Sequence, residues 1–233
     1  MHVMKKGILY AVLASVLWAI VNPFIKQGLS YDFSPMNFAG LRFTVVGIIL
    51  FAYTWHRGMW REIMQHRRLF GNLILINMFM GYTAFYFGVD FVSGAISSIV
   101  MGLTPLINVL LAHLVASNDR LNRYKVVSLA VSLAGLLLIV GTGSDGSPLD
   151  WRGIGGIVLL LACILFQGYS AISVSEDKGK VDPFFLNAVQ MFFGGLLIYG
   201  VGIAAEGFHP FWAKPVGFYA SLGVLVFLSL IHI

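Results

Sequence analysis

Long apolar runs alternate with short polar segments along almost the whole chain. The runs are continuous rather than alternating, which favours helices over strands, and a helix of about 20 apolar residues crosses the hydrocarbon core of a bilayer. The pattern therefore predicts an all-α integral membrane protein. It contains seven complete spans and an eighth that the C-terminus interrupts: Gly7–Gly28, Met36–Trp55, Leu69–Gly88, Ala95–Ala116, Val126–Gly141, Gly153–Val174, Pro183–Ala205 and Val216 to the end.

The composition agrees with a membrane protein and excludes several functions. Hydrophobic residues make up 58% of the 233 residues and charged residues 11%, with a mean hydropathy of +0.86; soluble domains carry about 25% charged residues. The net charge of +5 comes from basic residues between the apolar runs, which indicates topology signals and excludes nucleic acid as a partner. Cys163 is the only cysteine, and no metal-ligand spacing or cofactor motif is present, so we expect no metal and no cofactor.

The distribution of Lys and Arg predicts the orientation. With a cytoplasmic N-terminus, eleven of these residues lie in inside segments and three, Lys26, Arg152 and Lys214, in outside segments. Short cytoplasmic loops carry the excess of positive charge in membrane proteins. We therefore expect a multi-pass protein of the plasma membrane, in a bacterium the inner membrane, with its N-terminus in the cytoplasm.

The second half of the chain repeats the first when the sequence is shifted by 148 residues. Pro35 then aligns with Pro183, and Gly47 with Gly195. Five helices separate the starts of the two copies, and an odd number inverts the second copy in the bilayer, as in transporters whose substrate site lies near the midplane. The expected units are a first repeat over residues 7–141 and a second, truncated repeat over residues 153–227.

Several short motifs occur within the predicted spans and at their ends. They are Leu17-Trp18-Ala19-Ile20-Val21-Asn22-Pro23-Phe24-Ile25-Lys26, Ser34-Pro35 leading to Leu41-Arg42-Phe43, Ser93-Gly94-Ala95, Thr104-Pro105-Leu106, and Asp119-Arg120-Leu121 before Gly135. In these motifs the chain resembles one transporter family, the EamA-type members of the drug/metabolite transporter superfamily. That family usually has Gly-Glu before the Arg-Leu pair at 120–121, where this chain has Asn118-Asp119. The resemblance implies ten helices in two inverted five-helix repeats around a central cavity, of which about eight helices are present here.

The last six residues, 228–233, read Leu-Ser-Leu-Ile-His-Ile. The string CTG TCT CTT ATA CAC ATC would encode them, and that string matches a transposase-end adapter used in preparing DNA libraries. We expect these residues to be a non-native tail, although six apolar-leaning residues could also simply continue the helix. Because part of the second repeat is missing, we expect the 233-residue chain not to transport by itself.

Two helices that contain a proline carry polar residues at depth. In the first, Trp18 and Asn22 share a face, and Pro23 leaves the carbonyl of Ala19 without its helical partner. In the fourth, a polar stripe follows one face and Pro105 frees a carbonyl on it; the stripe consists of Ser97, Met101, Thr104 and Asn108. Both sites favour a substrate cavity, while a kink satisfied by neighbouring helices and interhelical hydrogen bonding are the alternatives.

The third and sixth helices add further candidate cavity residues. The third helix carries Asn77 and an aromatic stripe that includes Tyr82, which either packs in the core or binds an amphipathic solute. The sixth helix carries Phe166, Gln167 and Ser170, which echo the first helix through the repeat. We expect Asn77, Tyr82, Phe166, Gln167 and Ser170 to face a cavity.

Arg42 is the only Lys or Arg clearly inside a span. It either binds an anion in the cavity or extends its guanidinium to the headgroups. No predicted span contains an Asp or Glu at depth, and Asp90 lies near the end of its span. This pattern argues against proton coupling through a carboxylate in the part of the chain present.

Together these features predict a secondary transporter that exports a small metabolite, such as an amino acid or a related amphipathic compound, by alternating access. An intramembrane enzyme is not expected, because no Ser–His pair, paired carboxylates or metal cluster occurs within the spans. A non-transporting membrane subunit or sensor, or an inactive fragment of a transporter, is the alternative. The expected partners are a small-molecule substrate and the lipid bilayer, and the fold would allow a homodimer.

Overall fold

The computed structural model describes residues 20–55, 58–115, 150–177 and 180–231, with isolated helical positions between 123 and 138. Over these ranges the chain is helical and no strand occurs. The all-α prediction is therefore confirmed, whereas most of the first and fifth predicted spans lies outside the described residues. Five segments are long and apolar enough to cross a membrane: Pro35–Tyr53, Arg67–Phe91, Gly94–Leu111, Trp151–Asp177 and Pro183–Glu206.

The described helices follow the predicted order of spans. One of them, α4, contains a π-helical stretch over Leu73–Tyr82, a conformation that is rare and usually limited to one turn. The elements are α1 over residues 20–29, α2 over Pro35–Tyr53, α3 over Met59–Gln65, α4 over Arg67–Phe91, α5 over Gly94–Met101, α6 over Thr104–Val115, α7 over Trp151–Asp177, α8 over Pro183–Glu206 and α9 over Val216–Ile231.

Proline and its preceding polar residue set the starts of α2 and α8. Pro35 and Pro183 occupy the first turn, where the missing N–H costs nothing and the fixed φ suits a helix. The carboxylate of Asp182 accepts the N–H of Phe185 at 3.0 Å and so caps α8. The end of α8 is set by Gly207, whose φ of 85° a side chain would disfavour.

The backbones of α2 and α8 touch at glycines. A Cβ added at Gly47 would overlap the backbone nitrogen of Phe192, and one added at Gly195 would lie 2.6 Å from that of Thr44. Thr44 and Phe192 are 148 residues apart, as are Gly47 and Gly195. Each contact is thus the copy of the other, which is the pattern a two-fold axis between the helices would produce. The residue bounds of the two repeats stay a prediction.

The polar connections gather at two opposite ends of the bundle. At one end, which we call the His66 face, the ring of His66 lies 3.2 Å from the carboxylate of Asp177. At the other end, the Glu206 face, the carboxylate of Glu206 accepts the backbone N–H of Met36 at 3.1 Å. The α7–α8 connection therefore lies opposite the α8–α9 connection, as alternating spans require.

Candidate solute cavity

A cavity of about 240 Å³ lies between α4, α7 and α8 and is bordered by the α7–α8 connection. Its wall combines apolar side chains with a set of polar ones, which is the usual composition of small-molecule sites. Three of the polar residues, Asn77, Gln167 and Ser170, were predicted as cavity residues from the sequence. The polar side chains are Asn77, Gln167, Ser170, Asp177, Asn187 and Gln190.

The cavity extends from the His66 face to the middle of the bundle. Asp177 is the last residue of α7, and Gln167 precedes it by ten residues, which is about 15 Å at the helical rise of 1.5 Å per residue. That length is about half of the ~30 Å hydrocarbon core. Asn77 likewise lies close to the middle of the 25-residue helix α4. The polar groups therefore continue to the depth of the membrane midplane.

A relay of amides crosses the cavity wall from α4 to α8. The Nδ2 of Asn77 donates to the Oε1 of Gln190 at 3.0 Å, and the Nε2 of Gln190 donates to the Oδ1 of Asn187 at 2.6 Å. Asn187 in turn donates to the carbonyl of Pro183 at 3.0 Å. Asn77 is the first donor of this relay, and its Oδ1 accepts no hydrogen bond from the described residues.

Gln167 has no hydrogen-bond partner in the part of the chain that the structure describes. Its stem lies beside Gly81 of α4, where an added Cβ would be 3.8 Å from the Cγ of Gln167 and 3.6 Å from the Cβ of Phe166. A free amide in an apolar bundle is costly unless water or a ligand satisfies it. Gln167 can therefore donate to and accept from a bound molecule.

The π-helical stretch of α4 presents two of the lining residues. Leu73 begins this stretch and Asn77 lies within it, and both border the cavity. π-Helical turns occur frequently at functional sites. The altered winding thus coincides with the place where α4 forms the cavity wall.

Asp177 closes the network at the mouth of the cavity. One carboxylate oxygen lies 3.2 Å from the Nδ1 of His66, and the other accepts the backbone N–H of Val181 at 3.2 Å. The side chain of Asp177 is 11% exposed and that of His66 is 23% exposed. Asp177 therefore ties the segment before α4 and the α7–α8 connection to the end of α7.

Beyond the cavity, toward the Glu206 face, α4 and α7 come into near-backbone contact. A Cβ added at Gly88 would lie 3.0 Å from the carbonyl oxygen of Gly156, and one added at Gly156 would lie 2.8 Å from the Cβ of Phe91. Two glycines facing each other let helices approach this closely in a bilayer. Among the described helices, α4 and α7 are thus closely packed toward the Glu206 face, whereas the lining of the cavity reaches the α7–α8 connection at the His66 face.

Comparison with known proteins identifies the family to which this bundle belongs. Residues 5–141, more than half of the chain, match the EamA-like transporter family. The chain belongs to the EamA-like transporter family. A protein of Bacillus subtilis (strain 168) described as "Uncharacterized transporter YoaV" is 22% identical over 196 residues, which are 84% of this chain and 66% of that relative. The chain therefore spans slightly less than two thirds of that relative, and no solved structure matches it.

In this EamA-like chain the proline-containing first helix is joined to α5. The Nδ2 of Asn22 donates to the hydroxyl of Ser98 at 2.9 Å, while its Oδ1 is buried without a partner among the described residues. Ser98 also donates to the carbonyl of Gly94 at 2.8 Å. Trp18, the predicted neighbour of Asn22, lies outside the described residues. Asn22 thus lies at a helix contact and not at the cavity between α4, α7 and α8.

The stripe predicted on the fourth span is split between α5 and α6. Ser97 is fully buried and donates to the carbonyl of Gly94 at 3.0 Å. Thr104 donates to the carbonyl of Met101 at 2.6 Å, which is the carbonyl that Pro105 was expected to free. Both hydroxyls are therefore satisfied by backbone within the same span, and neither lies at the cavity described above.

Three other predicted residues lie in packed surroundings. Met101 packs against the main hydrophobic core, and the ring of Tyr82 lies 4.4 Å from that of Phe43, centroid to centroid. Asn108 faces Gly168 of α7, and its Oδ1 is buried without a partner in the described part of the chain. A role of these residues in substrate binding stays a prediction.

Arg42 points into the protein, so the alternative in which its guanidinium reaches the headgroups is wrong. It is only 5% exposed, and its Nη1 donates to the hydroxyl of Tyr86 at 3.0 Å. Its Nε and Nη2 donate to the hydroxyl of Ser229 at 3.1 and 2.8 Å. Within the described ranges no carboxylate pairs with it. Ser229 belongs to the tail that we expect to be non-native, an expectation that stays a prediction.

Sequence reasoning missed Asp177, Asn187 and Gln190 as cavity residues. Asn187 and Gln190 are three residues apart on α8 and share a face, and this spacing was the available signal. Asp177 was placed beyond the end of the sixth span because hydropathy falls after Val174. The helix continues to Asp177 nevertheless, because its last turn packs against the segment before α4 through His66.

Proposed function

We propose that this protein is a secondary transporter that exports a small amphipathic solute, such as an amino acid or a related metabolite, by alternating access. The observation that carries this proposal is a polar cavity that extends from the His66 face to near the midplane. Its deepest polar groups, on Asn77 and Gln167, retain unused hydrogen-bonding capacity. The chain contains no ATP-binding motif, so a solute or ion gradient supplies the driving force.

The volume of the cavity supports a small solute. A water molecule occupies about 30 Å³ of the liquid, so the 240 Å³ of the cavity hold roughly eight waters or one molecule of amino-acid size. The apolar part of the wall, which includes Leu73, Val174 and Leu186, suits a hydrocarbon side chain. The amides suit a polar head, which together describes an amphipathic solute.

The position of the cavity in the described helices, between the His66 face and the midplane, supports alternating access. In transporters built from inverted repeats, one repeat rocks against the other around a site near the midplane. Here the contact of Gly88 with Gly156 packs α4 against α7 toward the Glu206 face, and the lining of the cavity reaches the α7–α8 connection at the His66 face. With the predicted cytoplasmic N-terminus, the His66 face is cytoplasmic and the described conformation faces inward, ready to load a solute for export.

Solute flux tests this proposal. The full-length protein encoded by the intact locus is reconstituted in liposomes that are loaded with a mixture of labelled amino acids and related amines. Efflux of the label is compared with efflux from protein-free liposomes that carry the same mixture. We expect flux from the wild type and at least a tenfold loss of flux in Gln167→Leu. This change removes an amide at the midplane, and the leucine side chain that replaces it cannot hydrogen-bond the solute.

Gln27→Leu is the matched control, because Gln27 is an exposed glutamine near the Glu206 face and is remote from the cavity. It should retain the flux of the wild type. A sensor or structural subunit would give no more flux than protein-free liposomes do. Absence of flux in the wild type, or full flux in Gln167→Leu, would overturn the proposal.

A further inference from the structure

The charge of the cavity wall comes from one side chain. Asp177 is the only ionisable residue among those that line the cavity, and the remaining lining residues are amides, one serine and apolar side chains. No lining residue carries a positive charge. A solute in the cavity therefore meets a carboxylate and neutral dipoles.

The other charged side chains near the mouth are directed to water or engaged elsewhere. Arg67, Arg68, Glu176 and Lys180 are exposed, and exposed charges are strongly screened by water and salt. The carboxylate of Asp182 is also exposed, and it caps the start of α8. Asp177, at 11% exposure, is the most shielded of these charges, so its field acts most strongly on the cavity.

The carboxylate of Asp177 has capacity for a ligand. Each of its oxygens makes one described hydrogen bond, to His66 and to the backbone of Val181, and a carboxylate offers about four acceptor sites. An ammonium group can therefore pair with Asp177 without displacing either protein partner.

We propose that the cavity selects solutes that carry an ammonium group, with Asp177 as the counter-ion at its mouth. This rests on the proposed function, because it names the substrate class of the same cavity. The carboxylate draws the ammonium group in from the His66 face, and the amides of Asn77 and Gln167 receive the neutral polar part of the solute deeper in the bundle. A solute whose only charge is negative is disfavoured.

The rate of thiol modification inside the cavity measures this selection. Ala171 lines the cavity, and Cys163, the only cysteine of the 233 residues, is fully buried. Ala171→Cys is therefore introduced in the full-length protein, with any cysteine outside these 233 residues replaced by serine. It is treated at low salt with three methanethiosulfonates, bearing trimethylammonium-ethyl, hydroxyethyl and sulfonatoethyl groups. Each rate is divided by the rate of the same reagent with a free thiol.

We expect the normalised rate of the cationic reagent to exceed that of the anionic one by about fivefold. Residues 171 and 177 are about 9 Å apart along the helix, and two reagents that differ by two charges would differ by this factor even at the dielectric constant of water. Adding Asp177→Asn should bring the ratio close to one. Glu176→Gln, which removes an exposed carboxylate one residue away, should leave the ratio unchanged.

The neutral reagent separates failure of this inference from failure of the proposed function. If it does not modify Ala171→Cys, the cavity is not accessible and the proposed function fails. If it reacts readily but the charged reagents show no preference, or if Glu176→Gln abolishes the preference as fully as Asp177→Asn, the cavity exists and the inference is wrong.

Protection by solutes completes the test. Pentylammonium, butyramide and butyrate have six non-hydrogen atoms each, and each is added at the same concentration before the neutral reagent. Pentylammonium should slow the modification several-fold more than butyrate does, and this difference should disappear in Asp177→Asn. Equal protection by pentylammonium and butyrate in the Ala171→Cys protein would overturn the assignment.

Discussion

One methyl group added at Gly195 tests the contact on which the packing of α2 against α8 depends. Its Cβ would lie 2.6 Å from the backbone nitrogen of Thr44, which is 0.8 Å short of the 3.4 Å at which ordinary contact begins. The atom it meets is backbone and cannot rotate away. The two helices must therefore separate by close to this amount along much of their length.

The expected effect of Gly195→Ala is a loss of stability. Overpacking of this kind costs about 1–3 kcal/mol, and each kcal/mol corresponds to about 2–4 °C in the melting temperature of a protein of this size. We therefore expect the melting temperature in detergent to fall by roughly 2–12 °C. Tryptophan fluorescence or size-exclusion chromatography after heating measures it.

Gly200→Ala is the matched control on the same helix, because nothing lies within 4 Å of an added Cβ there. Alanine is favoured over glycine in helices by up to about 1 kcal/mol, so this variant should melt at or above the wild-type temperature. Gly47→Ala should behave like Gly195→Ala, and the double variant should lose less than the sum, since the first change already opens the gap. Equal melting of Gly195→Ala and Gly200→Ala would refute the reasoning.

Three further changes test individual contacts. Arg42→Lys keeps the charge but loses the planar fork that reaches Tyr86, so we expect a loss of about 1–3 kcal/mol, and an unchanged melting temperature would contradict this. Glu206→Gln removes the anionic acceptor at the start of α2 and should cost about 0.3–2 kcal/mol, measured in the same assay; a higher melting temperature would count against it. His66→Lys places a permanent positive charge beside Asp177 and should abolish the cation preference in the thiol assay while leaving the neutral reagent unaffected.

The spans were predictable because the bilayer makes backbone hydrogen bonding obligatory and limits each span to about 20 apolar residues. Pro35 and Pro183 were predictable as helix starts for a local reason, their missing N–H. The close contact of Gly47 and Gly195 with the opposite helix was foreshadowed only by their equal positions in the repeat. Its distance required the fold, since it depends on residues 148 positions away.

The cavity was only partly predictable because polar residues at depth have two physical outcomes. Gln167 faces the cavity with no described partner, whereas Ser97 and Thr104 donate to backbone carbonyls of their own span; sequence spacing does not distinguish these. The π-helical winding around Asn77 leaves no pattern in hydropathy. The partners of Arg42, on two other helices, likewise depend on tertiary packing.

Cysteine labelling of the two loops that precede the prolines tests the central claim, that the two halves of this chain are inverted in the membrane. Ser30 and Lys180 are both exposed, and each precedes one of the paired helices α2 and α8. In cells that express the full-length protein, a membrane-impermeant maleimide should label Ser30→Cys from outside. It should label Lys180→Cys only after permeabilisation, and labelling of both cysteines from the same side would contradict the account.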